Sequence, residues 1–174
     1  EAAVTPGTAA AWTIDSAASS IGFTGTHAGK DFKGRFERWQ GQVWFDPADL
    51  AGSKAVVTVQ TASARTGDPT QEGSLQGAEW FDPAQYPTAR FEAASFRSLG
   101  GDKYEATGTL KIKTVTLPVV LPFTFTETGS AATVEGRLEL DRTALNLGME
   151  SDATADWVSK LIGVQIKVSA KRAG

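Results

Sequence analysis

The chain has 174 residues, of which 41% are hydrophobic and 21% are charged, and its formal net charge is −3. This length favours one domain with a sizeable core, and the composition is typical of a globular protein rather than a disordered one. The weakly acidic balance gives no reason to expect nucleic acid, whose binding needs clustered Lys and Arg. Because the chain has no cysteine, disulfides, thiolate metal sites and thiol nucleophiles are excluded.

The first eleven residues are small, polar and contain Pro and Gly, which predicts a loose N-terminal tail over 1–11. A single domain is predicted over 12–174. Since the chain begins at Glu1 without a methionine, we expect an exported chain whose signal peptide has been removed, and a periplasmic location.

Alternation of apolar and polar residues predicts strands along most of the chain. They are expected near 12–15, 20–27, 32–46, 54–62, 88–98, 103–113, 117–128, 131–142 and 162–171, and the first two could form one interrupted strand. Within 32–46 the apolar parity changes between Phe36 and Val43, which predicts a bulge or bend near 39–41. A short amphipathic helix is predicted between Thr70 and Trp80.

Helical crossovers between successive strands are largely missing, so the sheet is predicted to be antiparallel. About eight such strands close most economically into a barrel, which also removes exposed edges. The sequence therefore predicts an all-β, eight-stranded antiparallel barrel with one short helix. Small residues at inward positions, such as Gly108 and Gly136, could leave room for a ligand or mark bends where strands coil.

Three segments carry a resemblance to a known family. They are 12–15 with 20–23 and His27, 81–83 with 86–91, and 108–112 leading into 117–119. In this order and spacing, the chain from Trp12 to about Ala170 resembles the YceI-like family of lipocalin-like, polyisoprenoid-binding proteins. The stretch from 141 to 158 resembles the branch often associated with membrane b-type cytochromes. The resemblance implies an exported, lipocalin-like barrel whose hydrophobic channel takes an isoprenoid quinone, an isoprenoid lipid or a similar amphiphile.

The channel of such a barrel is expected to be lined by aromatic and aliphatic side chains. We predict that Phe23, Phe36, Trp44, Phe91, Leu110, Phe123, Phe125 and Trp157 line it. For the five tryptophans of the chain a second role stays open, in which they cover the barrel ends with the indole N–H paired at the rim. Specificity would come from polar groups at the mouth, and the candidates are His27, Arg90 and Arg142.

The sequence offers little for catalysis. His27 is the only histidine, so a metal site built on two histidines is excluded, and a Ser-His-Asp triad would have to use this residue. A G-x-S-x-G nucleophile motif is absent. Axial haem ligation by His27 and Met149 is conceivable, but no other feature indicates a haem pocket. We therefore expect no enzymatic activity, no metal and no cofactor beyond a bound isoprenoid quinone or lipid.

The sequence thus favours a non-enzymatic carrier that holds an isoprenoid quinone, a polyisoprenoid or a similar lipid in the barrel lumen. The alternative is an interaction module with a solidly packed barrel that docks on a membrane b-type cytochrome. A hydrolase or isomerase acting on a lipid is disfavoured by the missing nucleophile motif. A homodimer is left open.

Overall fold

The computed structural model describes residues 7–173, which form one antiparallel sheet, one short α-helix and three short 3-10 turns. The helix α1 spans Pro69–Leu75. The strands are β1 (Ala11–Ile14), β2 (Ser20–His27), β3 (Lys30–Phe36), β4 (Trp39–Trp44), β5 (Lys54–Gln60), β6 (Ala64–Arg65), β7 (Thr88–Gly100), β8 (Lys103–Ile112), β9 (Val115–Thr128), β10 (Ala131–Asp141) and β11 (Leu161–Arg172).

The sheet closes into a barrel of eight strands. The ladder runs through β1, β4, β5, β7, β8, β9, β10 and β11, and β11 pairs back with β1. Strand β2 follows β1 along the same edge of β11, so these two strands act as one interrupted strand. The predicted eight-stranded antiparallel barrel is confirmed, and one short helix accompanies it among the described residues.

The long strand predicted at 32–46 is broken into β3 and β4 at Glu37 and Arg38, just before the predicted bend. Ser63 holds this break. Its hydroxyl accepts a hydrogen bond from the Arg38 amide at 3.0 Å and donates one to the Gln60 carbonyl at 2.7 Å. Across Glu37 and Arg38 the alternation of inward and outward residues slips by one position. The inward residues are therefore even-numbered in β3 and odd-numbered in β4, as the change of apolar parity in the sequence requires.

A bulge in β7 changes which residues face inward near the hairpin with β8. The pairing passes over Ala94, so Phe96 rather than Ser95 shares the inner face with Ala106. The two strands approach so closely here that a Cβ at position 108 would overlap the Glu92 carbonyl oxygen. Gly108 is therefore required by the approach of the two backbones.

Residues 1–6 of the predicted tail lie outside the described residues, but the remainder of that tail packs on the barrel. Ala9 is buried, and the amides of Thr8 and Ala9 donate to the Gly52 carbonyl at 3.0 and 2.9 Å. Ala11 already belongs to β1. The expectation of a loose tail is therefore wrong for residues 7–11, because backbone hydrogen bonds fix them.

The hydrophobic core divides into two clusters along the barrel. The first, called the aromatic end, is built around Trp12, Phe45, Tyr104, Phe123 and Phe125. The second, called the loop end, is built around Phe23, Phe81, Ile112, Leu145 and Leu147. Both clusters include inward positions of the same strands: on β8, Tyr104 lies in the first cluster and Ile112 in the second. The two clusters therefore occupy opposite ends of one interior.

Candidate ligand-binding site in the barrel interior

A band of inner wall between the two ends belongs to neither core cluster. Val57, Gly108 and Val164 face inward, since they pair with inward residues of the neighbouring strands. Nearby, Leu138 and Ile166 also face inward; both are partly exposed and pack against the cluster of the aromatic end. A packed domain normally has one contiguous core with few voids larger than a water molecule. Because the buried core is divided here, the middle of the lumen is the candidate place for a ligand.

The wall of this space is apolar. On β8, β9, β10 and β11, the inward positions hold hydrophobic residues or glycine, except for Glu127 and Arg172 at the outer margin of the aromatic end, which pair with each other. The Tyr104 hydroxyl is the one polar side-chain group among the others, and most charged residues of these strands alternate with them on the outer face. Such a wall suits a hydrocarbon, because it offers contact without polar groups that would need partners.

Aromatic rings close one end of the lumen. The Phe45 ring lies 4.7 Å from that of Phe125, 5.3 Å from Tyr104 and 5.5 Å from Phe96, measured between centroids. These tilted and edge-on arrangements are the favoured ones for aromatic pairs. The Trp12 indole N–H donates to the Phe45 carbonyl at 2.8 Å and fixes the chain where it leaves β4. This end is therefore a rigid plug.

Two connecting segments close the opposite end. They are residues 76–87, which follow α1, and residues 142–160, which join β10 to β11. Each contributes buried apolar side chains to the loop end: Phe81 from the first, and Leu145 and Leu147 from the second. This end is thus covered by irregular chain rather than by strands.

Arg142 holds the segment between β10 and β11 in place. Its side chain is 1% exposed and forms an ion pair with Asp152 at 2.9 Å. The guanidinium also donates to the carbonyls of Leu147 at 2.9 Å, Val158 at 2.9 Å and Ser159 at 3.1 Å. Since all three guanidinium nitrogens donate within this segment, the charge is not presented at the barrel mouth. The prediction that Arg142 meets a ligand head group there is wrong, and its role is structural.

Asp152 completes this buried pair from the other side. Its carboxylate accepts backbone hydrogen bonds from Asp156 at 2.8 Å, Trp157 at 3.1 Å and Val158 at 2.8 Å. These bonds, with that from the Val158 amide foremost, hold the pKa of the Asp152 carboxyl below its usual value. The ionised carboxylate therefore stabilises the folded loop more than the neutral carboxyl does.

Six of the predicted channel residues face the interior. Two of them meet at the loop end, where the rings of Phe23 and Phe36 lie 5.3 Å apart between centroids. Phe123 and Phe125 lie at the aromatic end. The predicted channel residues that face the interior are Phe23, Phe36, Phe91, Leu110, Phe123 and Phe125.

Two of the predicted residues lie on the outer face instead. Trp44 follows Val43, whose neighbours across the sheet face inward, so Trp44 points outward. Arg90 precedes the inward Phe91 and forms an ion pair with Glu92 at 2.5 Å. Successive residues of a strand point to opposite faces. Trp44 therefore does not line the channel, and Arg90 is not at its mouth.

The last two predicted residues lie on the rim of the loop end. His27 ends β2 and pairs with Val158 in an isolated bridge. Trp157, which precedes Val158, is 63% exposed, and its carbonyl accepts a hydrogen bond from the Ala28 amide at 2.7 Å. His27 thus borders the closing segment 142–160 and Trp157 belongs to it, and both side chains lie at the rim rather than in the lumen.

The sequence analysis missed several residues that shape the site. Leu145 and Leu147 are the two leucines of the segment 142–160 and stand two residues apart, and this pattern could have indicated a buried contact. Val57 gave no such signal, because residues 55–59 are apolar at both parities. Phe45 is central to the aromatic end, yet it lies just beyond β4.

Two further findings concern residues 7–173 as a whole. No group of three or more His, Asp or Glu side chains is arranged there so that it could hold a metal ion. A helix long and apolar enough to cross a membrane is also absent from this part of the chain.

The fold and interior together define a lipocalin-like barrel, in which eight antiparallel strands surround an apolar lumen. The family model of the YceI-like domain matches residues 12–170, and the chain belongs to this family. The resemblance that three sequence segments indicated is thereby confirmed.

Curated relatives agree with this assignment. A UPF0312 protein of Vibrio cholerae is 32% identical over 124 residues, which cover 70% of this chain and 66% of that protein. A UPF0312 protein of Pseudomonas syringae pv. syringae is 33% identical over 115 residues, or 60% of each chain. The chain thus spans just under two thirds of the length of these relatives.

Solved structures share the fold. BcnA of Burkholderia cenocepacia is 30% identical, with a TM-score of 0.88 over 91% of this chain and 100% of that one. A polyisoprenoid binding domain from Saccharophagus degradans is 14% identical, with a TM-score of 0.76 over 94% of this chain and 99% of that one. At that identity the second likeness establishes the fold alone.

Replacement of Arg142 tests its structural role. We expect Arg142→Met to lower the free energy of unfolding by about 3–5 kcal/mol, because it leaves Asp152 buried without its partner. Chemical denaturation monitored by circular dichroism measures this loss.

Arg97→Met is the matched control, since Arg97 pairs with Glu105 at 3.0 Å on the exposed surface. It should cost less than about 1 kcal/mol. Equal losses in the two variants would contradict the structural role of Arg142.

Acid should loosen the segment between β10 and β11. Because the pKa of Asp152 is lowered in the folded state, its stabilisation is complete above the ordinary carboxyl pKa of about 4. It is lost as the pH falls through the lower, folded value. We expect amide protection in 142–160, measured by hydrogen exchange and corrected for intrinsic rates, to fall in this acidic range while β8 stays protected.

Asp152→Asn should remove most of this pH dependence and leave the segment weakly protected at neutral pH. The Asp141 carboxyl, whose pKa is lowered chiefly by the Thr143 hydroxyl, remains in the variant and accounts for a residual response. An unchanged acid transition in Asp152→Asn would show that Asp152 is not responsible.

Proposed function

We propose that this chain is a non-enzymatic carrier that binds an isoprenoid quinone, a polyisoprenoid or a similar amphiphilic lipid in the barrel lumen. The divided core carries this proposal. The wall at Val57, Gly108 and Val164 faces inward, is free of polar side-chain groups, and belongs to neither cluster. A hydrocarbon tail against this wall would remove apolar surface of both partners from water.

The energetics of such burial are favourable. Each methylene that leaves water contributes about 0.8 kcal/mol, so a tail of roughly ten carbons contributes about 8 kcal/mol before the cost of ordering it. Retention of a lipid therefore needs only part of the lumen, and no polar anchor is required for affinity.

Family membership supports the same proposal. The chain belongs to the YceI-like family, and its fold matches that of a domain described as polyisoprenoid binding. The choice between a quinone, a polyisoprenoid and another amphiphile is part of the proposal, as is the absence of catalysis. In favour of the absence of catalysis, the inward residues of β8 to β11 other than the paired Glu127 and Arg172 carry one polar side-chain group, the Tyr104 hydroxyl, and the sole histidine is exposed on the rim.

We assign the contacts of the lipid in two parts. The tail would contact the inward-facing set of Phe23, Phe36, Phe91, Leu110, Phe123 and Phe125. For the polar head, His27 remains from the predicted mouth residues, and we add Trp157, which was predicted for the channel, since both lie at the rim of the loop end. The periplasmic location, a homodimer and a b-type cytochrome partner stay predictions.

A bulky side chain in the middle of the lumen tests the proposal. Val164→Trp adds an indole to the band that neither core cluster occupies. If it displaces about two methylenes of the tail, it should weaken binding of an isoprenoid quinone about tenfold. Quinone titration followed by quenching of tryptophan fluorescence measures the affinity, and thermal unfolding checks that the variant is folded.

The matched control is Val120→Trp, because Val120 is 47% exposed on the outer side of β9. It should bind the quinone as the unchanged protein does. Equal affinities for both variants would place the quinone outside the lumen, and no binding by any of the three proteins would contradict the carrier proposal.

A further inference from the structure

A second concave feature lies on the outer face of the barrel. A groove of about 1000 Å³ crosses β2, β3, β10 and β11 and reaches β8, β9 and the end of β7. Most of its lining comes from outward positions, such as Lys33 on β3, Arg137 on β10 and Lys167 on β11, which alternate with the inner wall. Gly22, also at an outward position, leaves the backbone bare. The groove therefore lies mainly on the opposite side of the barrel wall from the proposed lipid site, although the inward residues Phe123 and Ile166 also contribute to its lining.

The groove is strongly basic. Its charged residues are Lys33, Arg35, Lys103, Arg137 and Lys167, with Glu135 as the one acidic side chain among them. The rest of the sequence then carries twelve basic and nineteen acidic residues. A chain with a net negative charge thus concentrates positive charge on one face. Such a field attracts an anionic surface and repels a cationic one.

Most of these cations lack an acidic partner. Within the described part of the chain, Lys33, Lys103, Arg137 and Lys167 take part in no ion pair. Arg35 pairs with Glu37 at 3.5 Å, and both side chains are exposed. Their positive charge is therefore not neutralised by an ion pair in the fold and can act on an external anion.

The groove also has an apolar margin. Leu99, near the end of β7, is 47% exposed and lines the groove together with Pro122 of β9. At the boundary between lipid headgroups and acyl chains, basic residues contact phosphate groups and apolar residues enter the membrane. Leu99 beside lysines without an ion pair is an arrangement suited to this boundary.

We propose that this basic face docks on the surface of an anionic phospholipid bilayer. Charge complementarity carries the proposal, and the exposed Leu99 favours a bilayer over a small soluble anion. The groove offers exposed lysines along several strands rather than one enclosed pocket, which suits many weak phosphate contacts. Docking would bring the barrel to the phase in which isoprenoid lipids dissolve, but it requires no lipid in the lumen.

Vesicle binding with charge-neutralised variants tests the proposal. Each basic residue near an anionic membrane strengthens binding about fivefold, so removing three should weaken it about 100-fold. We would compare the unchanged protein with the triple variant Lys33→Gln, Lys103→Gln and Lys167→Gln. Cosedimentation with vesicles of phosphatidylglycerol and phosphatidylcholine at low salt measures the affinity, and no isoprenoid is present.

The control variant carries the same three changes outside the groove, at Lys30, Lys111 and Lys171. These lysines are exposed and do not line the groove, although Lys30 and Lys171 belong to strands that it crosses. The net charge changes equally in the two variants. We expect the control to lose much less affinity than the groove variant. Binding of the unchanged protein should also weaken with salt and should be far weaker on vesicles of phosphatidylcholine alone.

Two results would overturn the proposal. Equal losses in the two triple variants would mean that overall charge, not the groove, attracts the protein to the vesicles. Absence of binding to phosphatidylglycerol vesicles at low salt would leave an acidic protein surface or a small anion as the occupant of the groove. Neither result depends on whether the lumen binds a lipid.

Discussion

The structure depends on closure of the sheet by β11. This strand pairs with β10 along its whole length, with β2 over one half, and with β1 near its end. Closure satisfies the edge hydrogen bonds and fixes one inward parity around the ring. The apolar residues of each strand must then share one interior, and their combined volume decides whether it is filled. Here they form two clusters toward the ends, and Val164 lies between them as a member of neither.

Closure by strands leaves the two ends to be covered by other means, and the chain uses two different solutions. Packed rings around Phe45 seal one end, and the Arg172 guanidinium lies over the Trp12 ring at its margin, 5.4 Å from the ring centroid. At the other end an irregular segment depends on the buried pair of Arg142 and Asp152. A buried ion pair is weak evidence for stability, but loss of one partner is costly. Of the two ends, the loop end is therefore the one whose cover responds to pH and to a single substitution.

Much of this architecture could be predicted from the sequence, because alternation is strict where one face is buried and the other is solvated. Strands β8 to β11 have this pattern, and the residues predicted to face inward on β8 and β9, Leu110, Phe123 and Phe125, do so. Strand β5 does not, since Val56 faces outward and is nevertheless 2% exposed. Trp44 and Arg90 were misassigned because residue type was considered without parity. Arg90 and Phe91 are neighbours in one strand, so they cannot both face the channel. The role of Arg142 depends on contacts up to 17 residues along the chain, which no local pattern reveals.

The central claim is that the lumen is open and holds a lipid. Mass spectrometry of an organic extract of the purified, folded protein tests it most directly, with a mock purification as the control. The account predicts an isoprenoid quinone, polyisoprenoid or related amphiphile in a roughly one-to-one ratio to protein. A blank extract, obtained again after incubation with quinone and lipid mixtures, would contradict the account and indicate a packed barrel.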